Sequence, residues 1–214
     1  MRCEEIIKKL EKEANPINVA GMTRFGINPD KTLGVSIPFL RKLAKELWLS
    51  GIHEARILAG LIDDPDRVTE RQMDRWVEDF DSWDVCDQVC SSLFDKTGFA
   101  YEKAFEWTSR DEEFVKRAGF VMMAALSVHD KKSSDKEFER FLPIIVREAK
   151  DERNYVRKAV NWALRQIGKR NGRLNIKAIQ TAEKIRRIDS KSARWIASDA
   201  LRELRSEAVK KRLD

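Results

Sequence analysis

The sequence predicts an all-α protein, an α-solenoid of helical repeats with a concave, basic face. Three observations predict it. Apolar residues recur at helical spacing along nearly the whole chain of 214 residues. Glycine (9) and proline (5) are few while 36% of residues are charged, a composition of helices rather than of a β-sandwich or a disordered chain. A weak internal repeat is also present. FVKRA at 114–118 returns as YVRKA at 155–159, 41 residues on, and ALR at 163–165 returns at 200–202, 37 residues on. FLRKLA at 39–44 resembles the same start two periods upstream. A period of about 40 residues with paired helices is of HEAT or armadillo type: each pair buries one face on its neighbours, and the stack presents a concave face.

Helical periodicity covers, in order, 3–14, 36–49, 52–62, 69–80, 82–95, 99–109, 112–128, 135–150, 153–169, 174–188 and 190–211. Ser36, with Pro38 just inside, has the chemistry of a helix start. DDPD at 63–66 breaks the chain again, and Thr69 stands ahead of RQMDRWV as the next cap. KTG at 96–98, HDKKSSD at 129–135 and KRNG at 169–172 separate the later helices. The stretch 15–35 carries no clear element. No strand pair with a hairpin turn is evident, and no linker divides the chain, so one domain over 1–214 is expected.

Composition narrows the function classes. No apolar run is long enough to span a bilayer and no basic-then-apolar start marks a secretory signal, so a cytoplasmic protein without a membrane partner is expected, nucleoid-associated if prokaryotic. The three cysteines form no disulfide pattern and read as reduced thiols. The net charge of +6 is unevenly spread. Residues 1–107 hold 15 Lys and Arg against 20 Asp and Glu, a net −5, whereas 108–214 hold 27 against 16, a net +11. A basic half points to a polyanion such as nucleic acid; a set of solvated helix faces is the alternative.

The stretch DSWDVCDQVC, 81–90, contains the most unusual pattern. Trp83 and Asp87 are four residues apart and share a helix face. Trp83, Cys86, Cys90, Leu93 and Phe94 make one apolar stripe, with Asp87 at its edge beside Phe94. A carboxylate there loses hydration and needs a partner or a task. Metal chemistry has little to use: His53 and His129 are far apart, and Cys86 and Cys90 lack a second ligand pair, so packed core thiols are the plainer reading. No phosphate-binding loop, dinucleotide fingerprint or hydrolase elbow occurs, and neither a metal nor a cofactor is expected.

The other candidates are aromatic and basic. VRKAVNWALRQIGKRN, 156–171, is a positively charged helix carrying Arg157, Lys158, Arg165, Lys169 and Arg170, with Trp162 embedded. Trp162 and Arg165 share a face; the alternative is that Trp162 fills the core and Arg165 snorkels. Lys116 and Arg117 lie in the first turns of another helix, where cations oppose the helix dipole, so an external anion is expected to hold them.

Together WDVCD at 83–87, FVKRA at 114–118 and YVRKAVNWALRQIGKRN at 155–171 resemble the AlkD-like DNA alkylation repair glycosylases, a family of HEAT-like repeats. The resemblance runs from about SIPFLRKLAKELW to IGKRN and is poor over 1–35. It implies that Asp87 is the catalytic carboxylate, that Trp83 and Trp162 are the active-site tryptophans, and that Arg117 holds the DNA backbone near the lesion. Arg165, Lys169 and Arg170 fall in the basic helix of that pattern, whereas SARWIASDALREL after 172 has no assigned role. The implied activity is that of a monofunctional alkylpurine DNA glycosylase of base excision repair, acting as a monomer on double-stranded DNA containing alkylated bases. Asp87 would stabilise an oxocarbenium-like sugar and position water between two Trp faces. The alternatives are a HEAT-repeat DNA-binding module without catalysis, and a protein-interaction scaffold.

Overall fold

The computed structural model describes residues 3–24 and 28–213, with helices and no strand among them. The chain divides into two compact units, 1–67 and 68–214.

In the first unit, α1 (Cys3–Lys12) and α2 (Pro16–Thr23) are followed by a 3₁₀ turn at Pro29–Lys31, then α3 (Ile37–Leu49), α4 (His53–Ile62) and a 3₁₀ turn at Pro65–Arg67. The stretch 15–35 therefore holds a short helix and a turn; residues 25–27 lie outside the described ones. Asn15 caps α2 by accepting from the N–H groups of Ile17 and Asn18, and its own N–H donates to Leu33 O at 2.8 Å. That closure needs Gly34, at φ +66°, where a Cβ would stand 2.4 Å from Asn15 O. Ser36 caps α3 with Pro38 in its first turn. Leu43, Ala44, Leu47 and Trp48 of α3 pack with Ala55 and Ala59 of α4.

The second unit carries α5 (Glu70–Glu78), α6 (Trp83–Ser92), a 3₁₀ turn at Phe94–Lys96, α7 (Ala100–Trp107), α8 (Glu113–His129), α9 (Asp135–Glu139), α10 (Phe141–Glu148), α11 (Asn154–Gly168), α12 (Gly172–Arg186), α13 (Lys191–Leu204) and α14 (Glu207–Leu213). The predicted helix 135–150 is two helices meeting at Arg140. Pro143 supplies the reason: it offers no N–H to the Glu139 carbonyl four residues back, and its ring crowds that carbonyl. The predicted helix 190–211 likewise breaks at Arg205–Ser206, and Ser206 Oγ accepts from Val209 N to start α14.

The repeat is plain in this unit. Helices α6, α8, α11 and α13 form a layer in which each contacts the next, with α7, α10 and α12 packed behind. Helix α8 is central, touching α5, α6, α7 and α11, and it is buried without interruption from Val115 to Ser127. An amphipathic stripe cannot do this; a helix buried all round must be apolar nearly all round. Its polar residues are therefore the ones that require partners.

Two features set where α8 lies. Gly119 lets it close on α7, because a Cβ there would stand 2.8 Å from Thr108 N and from Thr108 Cγ2. Gly119→Ala is expected to cost about 1–3 kcal/mol through this overpacking, measured as a lower urea midpoint; an unchanged midpoint would show that the helices part freely. On α7, Lys103 is 1% exposed, with its ammonium 2.9 Å from Glu70, 2.8 Å from Asp74 and 2.7 Å from Glu106. Burial opposes that charge, but the three carboxylates together hold Lys103 above its ordinary pKa. The resulting stability is complete below the unfolded lysine range and is lost only as pH rises through the folded value.

A candidate cleft between Trp83, Asp87, Trp162 and Trp195

Helix α6 sends its apolar residues inward: Val85, Cys86, Val89 and Cys90 are buried, and Cys86 and Cys90 are free thiols. Leu93 and Phe94 continue that core, where Phe94 meets Trp76, Phe80 and Trp107 at centroid distances of 6.2, 6.5 and 5.9 Å. Trp83 does not join them. It is 53% exposed, so the predicted stripe loses its first member.

Asp87 has the partner its position requires. Arg117 of α8 grips it at both oxygens, Nε to Oδ1 at 2.9 Å and Nη2 to Oδ2 at 2.8 Å. The remaining Nη1 donates to Tyr155 O at 2.7 Å. Arg117 is 5% exposed, and all three of its guanidinium nitrogens donate within the protein, so its first role here is to hold Asp87 rather than a phosphate. Burial pushes the Asp87 carboxyl above the ordinary aspartate range, with the guanidinium pulling in the opposite direction. The fork of two parallel hydrogen bonds fixes the carboxylate plane as well as its charge.

Around this pair lies a cleft of about 370 Å³ lined by α6, α8, α11 and α13. Lys158, Asn161, Trp162 and Arg165 reach it from one face of α11, at the i, i+3, i+4, i+7 positions that a helix superimposes. Trp162 is half-buried there, with indole in the cleft. Trp83, Asp87 and Trp162, assigned from two separate stretches, are thus brought together.

The predicted basic side chains behave differently. Lys116 is buried against Glu148 at 3.0 Å and Asp151 at 3.9 Å. Arg165 pairs with Glu203 and lies 3.6 Å from Asp199, and Lys169 pairs with Glu203 at 2.6 Å. Arg170 donates to Ser127 O and Ser133 O and stacks on Phe138 at 4.0 Å. Arg157 donates to Asn154 and lies over the Trp195 ring at 5.2 Å. Of the seven cations expected to bind DNA, Lys158 alone is exposed without a partner among the described residues. The reason is the burial of their helices: a cation between packed helices must be neutralised there, so the anions that hold Lys116 and Arg117 against the helix dipole are internal.

Two site residues were missed in the sequence. Trp195 and Asp199 of α13 line the same cleft. Asp199 accepts from Asn161 Nδ2 at 2.7 Å and from Arg202. Their signal was available: Trp195 and Asp199 repeat the Trp-x-x-x-Asp spacing of Trp83 and Asp87. Tyr155 also lines the cleft, its ring 5.3 Å from that of Phe114. Among the described residues no group of three or more His, Cys, Asp or Glu comes together as a metal-holding cluster, and no helix is long and apolar enough to cross a membrane.

Comparison with known proteins places this geometry in context. The family model described as "DNA alkylation repair enzyme" matches residues 6–204. No curated protein matches the sequence. A solved structure described as "A new family of proteins related to the HEAT-like repeat DNA glycosylases with affinity for branched DNA structures" is similar, with a TM-score of 0.68 at 21% identity. That similarity covers 100% of this chain and 96% of the other. At that identity the likeness speaks for the fold, a HEAT-like α-solenoid.

Proposed function

The chain belongs to the DNA alkylation repair enzyme family, and from that premise we propose that it is a DNA glycosylase hydrolysing the N-glycosidic bond of cationic N3- or N7-alkylated purines in duplex DNA. The observation that carries the reading is Asp87, a carboxylate gripped by a buried arginine and opened to a cleft walled by tryptophans. An anion facing a DNA groove repels phosphate, so a site that keeps one there needs it for a developing positive charge.

The substrate chemistry matches. An N3- or N7-alkylated purine is already cationic and leaves without a proton donor. As its bond to C1′ breaks, the bonding electrons pass to the base and neutralise it, while positive charge builds on the deoxyribose. Asp87 faces that charge, Trp83 and Trp162 offer their π faces to it, and water attacks C1′ and gives up its proton to the carboxylate or to solvent. One preorganised charge contributes on the order of 3–4 kcal/mol and each indole about 0.5–2 kcal/mol, terms suited to a labile cation and insufficient for an unmodified purine. Arg117 acts as a positioning residue: it orients Asp87 and keeps it ionised against burial. Lys158, at the rim, is the side chain available to a phosphate.

The test is release of free base from duplex DNA containing N7-methylguanine, with unmodified duplex as control. Release from the methylated duplex alone is expected. Salt-sensitive DNA binding with no release would replace this reading with a binding module, in line with the branched-DNA affinity described for the similar structure. Neither release nor binding would leave a helical scaffold.

A further inference from the structure

Behind the helix layer that carries the cleft, α10 and α12 leave a groove of about 400 Å³ between them. It shares no lining residue with the cleft. Helix α10 gives it an apolar side, Leu142, Pro143 and Val146, and α12 gives it a cationic one, Lys177 and Lys184. Both lysines are exposed, and neither forms an ion pair among the described residues. Their own two helices cannot supply one. These hold one carboxylate each, Glu148 on α10 and Glu183 on α12. Glu148 already takes Lys116 at 3.0 Å and Arg147 at 2.6 Å, and Glu183 takes Arg186 at 2.8 Å and Arg205 at 2.7 Å. Glu139, at the end of the groove, is paired with Arg173 at 3.0 Å. The groove is therefore apolar along one side and positively charged along the other.

We infer that this groove docks an amphipathic helix of another protein, one whose apolar stripe is edged by carboxylates. The spacing of the lysines selects a helix. Lys177 and Lys184 are seven residues apart, two turns and about 10.5 Å along α12. Carboxylates seven residues apart on a helix laid along the groove repeat that rise, so both pairs form at once. An extended segment covers the same length in about three residues, which puts the two side chains on opposite faces. The apolar stripe of the helix covers Leu142, Pro143 and Val146 and supplies affinity. The exposed lysines set its orientation and speed its encounter, effects that salt screens. A nucleic acid backbone matches the groove less well, because it brings charge without an apolar face and leaves the α10 side in water. A protein docked here leaves the cleft at Asp87 free for DNA.

Fluorescence anisotropy with two lactam-bridged helical peptides of identical composition tests this. Both carry a leucine stripe. One has two glutamates seven residues apart along the edge of that stripe, and the other has them on the opposite face. The wild type is expected to bind the first more tightly, with the preference fading at high salt. Lys177→Glu/Lys184→Glu is expected to bind the first peptide about tenfold more weakly and to prefer a version with lysines in place of the glutamates. Both positions are exposed, so circular dichroism should show an unchanged fold. Saturating duplex DNA should leave peptide binding unchanged. No binding, equal binding of the two peptides, or an affinity that the double variant keeps overturns the inference. Displacement of the peptide by DNA also overturns it, by giving the groove to nucleic acid.

Discussion

Asp87→Asn is expected to lower base release from N7-methylguanine duplex DNA by about 100- to 1,000-fold, the loss that follows removal of one preorganised transition-state charge. The substitution keeps the side-chain shape and one acceptor for Arg117, so the helices should remain packed. The amide nitrogen, however, faces a guanidinium N–H where Oδ2 accepted at 2.8 Å, and that lost bond costs about 1–3 kcal/mol of stability. Release is therefore compared well below the melting transition, with circular dichroism confirming the fold. DNA affinity should hold or rise, because an anion has left the groove. Undiminished release by the variant would remove Asp87 from the chemistry.

Arg117→Ala is expected to be the most destabilising change at the site. It leaves Asp87 without its bidentate partner and frees the Tyr155 carbonyl, both in a region where Arg117 and Asp87 side chains are only 6% and 17% exposed. Removing one member of a buried pair costs about 3 kcal/mol or more, because the other charge is stranded. The double variant Arg117→Ala/Asp87→Asn should be less destabilised than the sum of the singles, and urea denaturation of the four proteins measures that coupling. Additive losses would mean that the two groups act independently. Arg117→Lys restores a charge without the planar fork and should recover stability only in part.

The same pair sets the pH response. Because burial holds the folded Asp87 carboxyl above its ordinary range, the folded state binds that proton more tightly than the unfolded chain. Protonation therefore favours the fold on the acid side, and this contribution is lost as pH rises through the folded value. Catalysis runs the opposite way, since hydrolysis needs the anion. The acid limb of base release should fall above the ordinary aspartate range and should move higher in Arg117→Lys, where the opposing pull is weaker. A pH–rate profile of both proteins under single-turnover conditions checks the shift; coincident limbs would show that Arg117 does not set the charge state.

Much of this was legible in the residues alone. FVKRA, YVRKA and the two ALR segments recur 41 and 37 residues apart, and α8, α11 and α13 begin at Glu113, Asn154 and Lys191, separated by the same intervals. Ser36 and Thr69 cap where their positions predicted. These are local properties: helical spacing and capping depend on residues within a turn or two of each other. Asp87 as an acid out of place and Trp83 beside it were visible for the same reason. Trp195 and Asp199 repeat the same spacing, but no residue within a turn or two of them says that α13 faces the cleft of Asp87.

Only the tertiary structure decided what the charges do. Arg117 meets an aspartate 30 residues earlier in the chain, Arg165 a glutamate 38 residues later, and Lys169 the same glutamate 34 residues later. Spacing within a helix says that a cation lies on a given face; it does not say which residue of the next repeat stands opposite. Where the packing supplies a carboxylate, burial forces the pair to form, and cations that spacing alone places on one helix face become internal ion pairs. The helices and their repeat follow from local physics. The site follows from which neighbours the repeats bring within hydrogen-bonding reach.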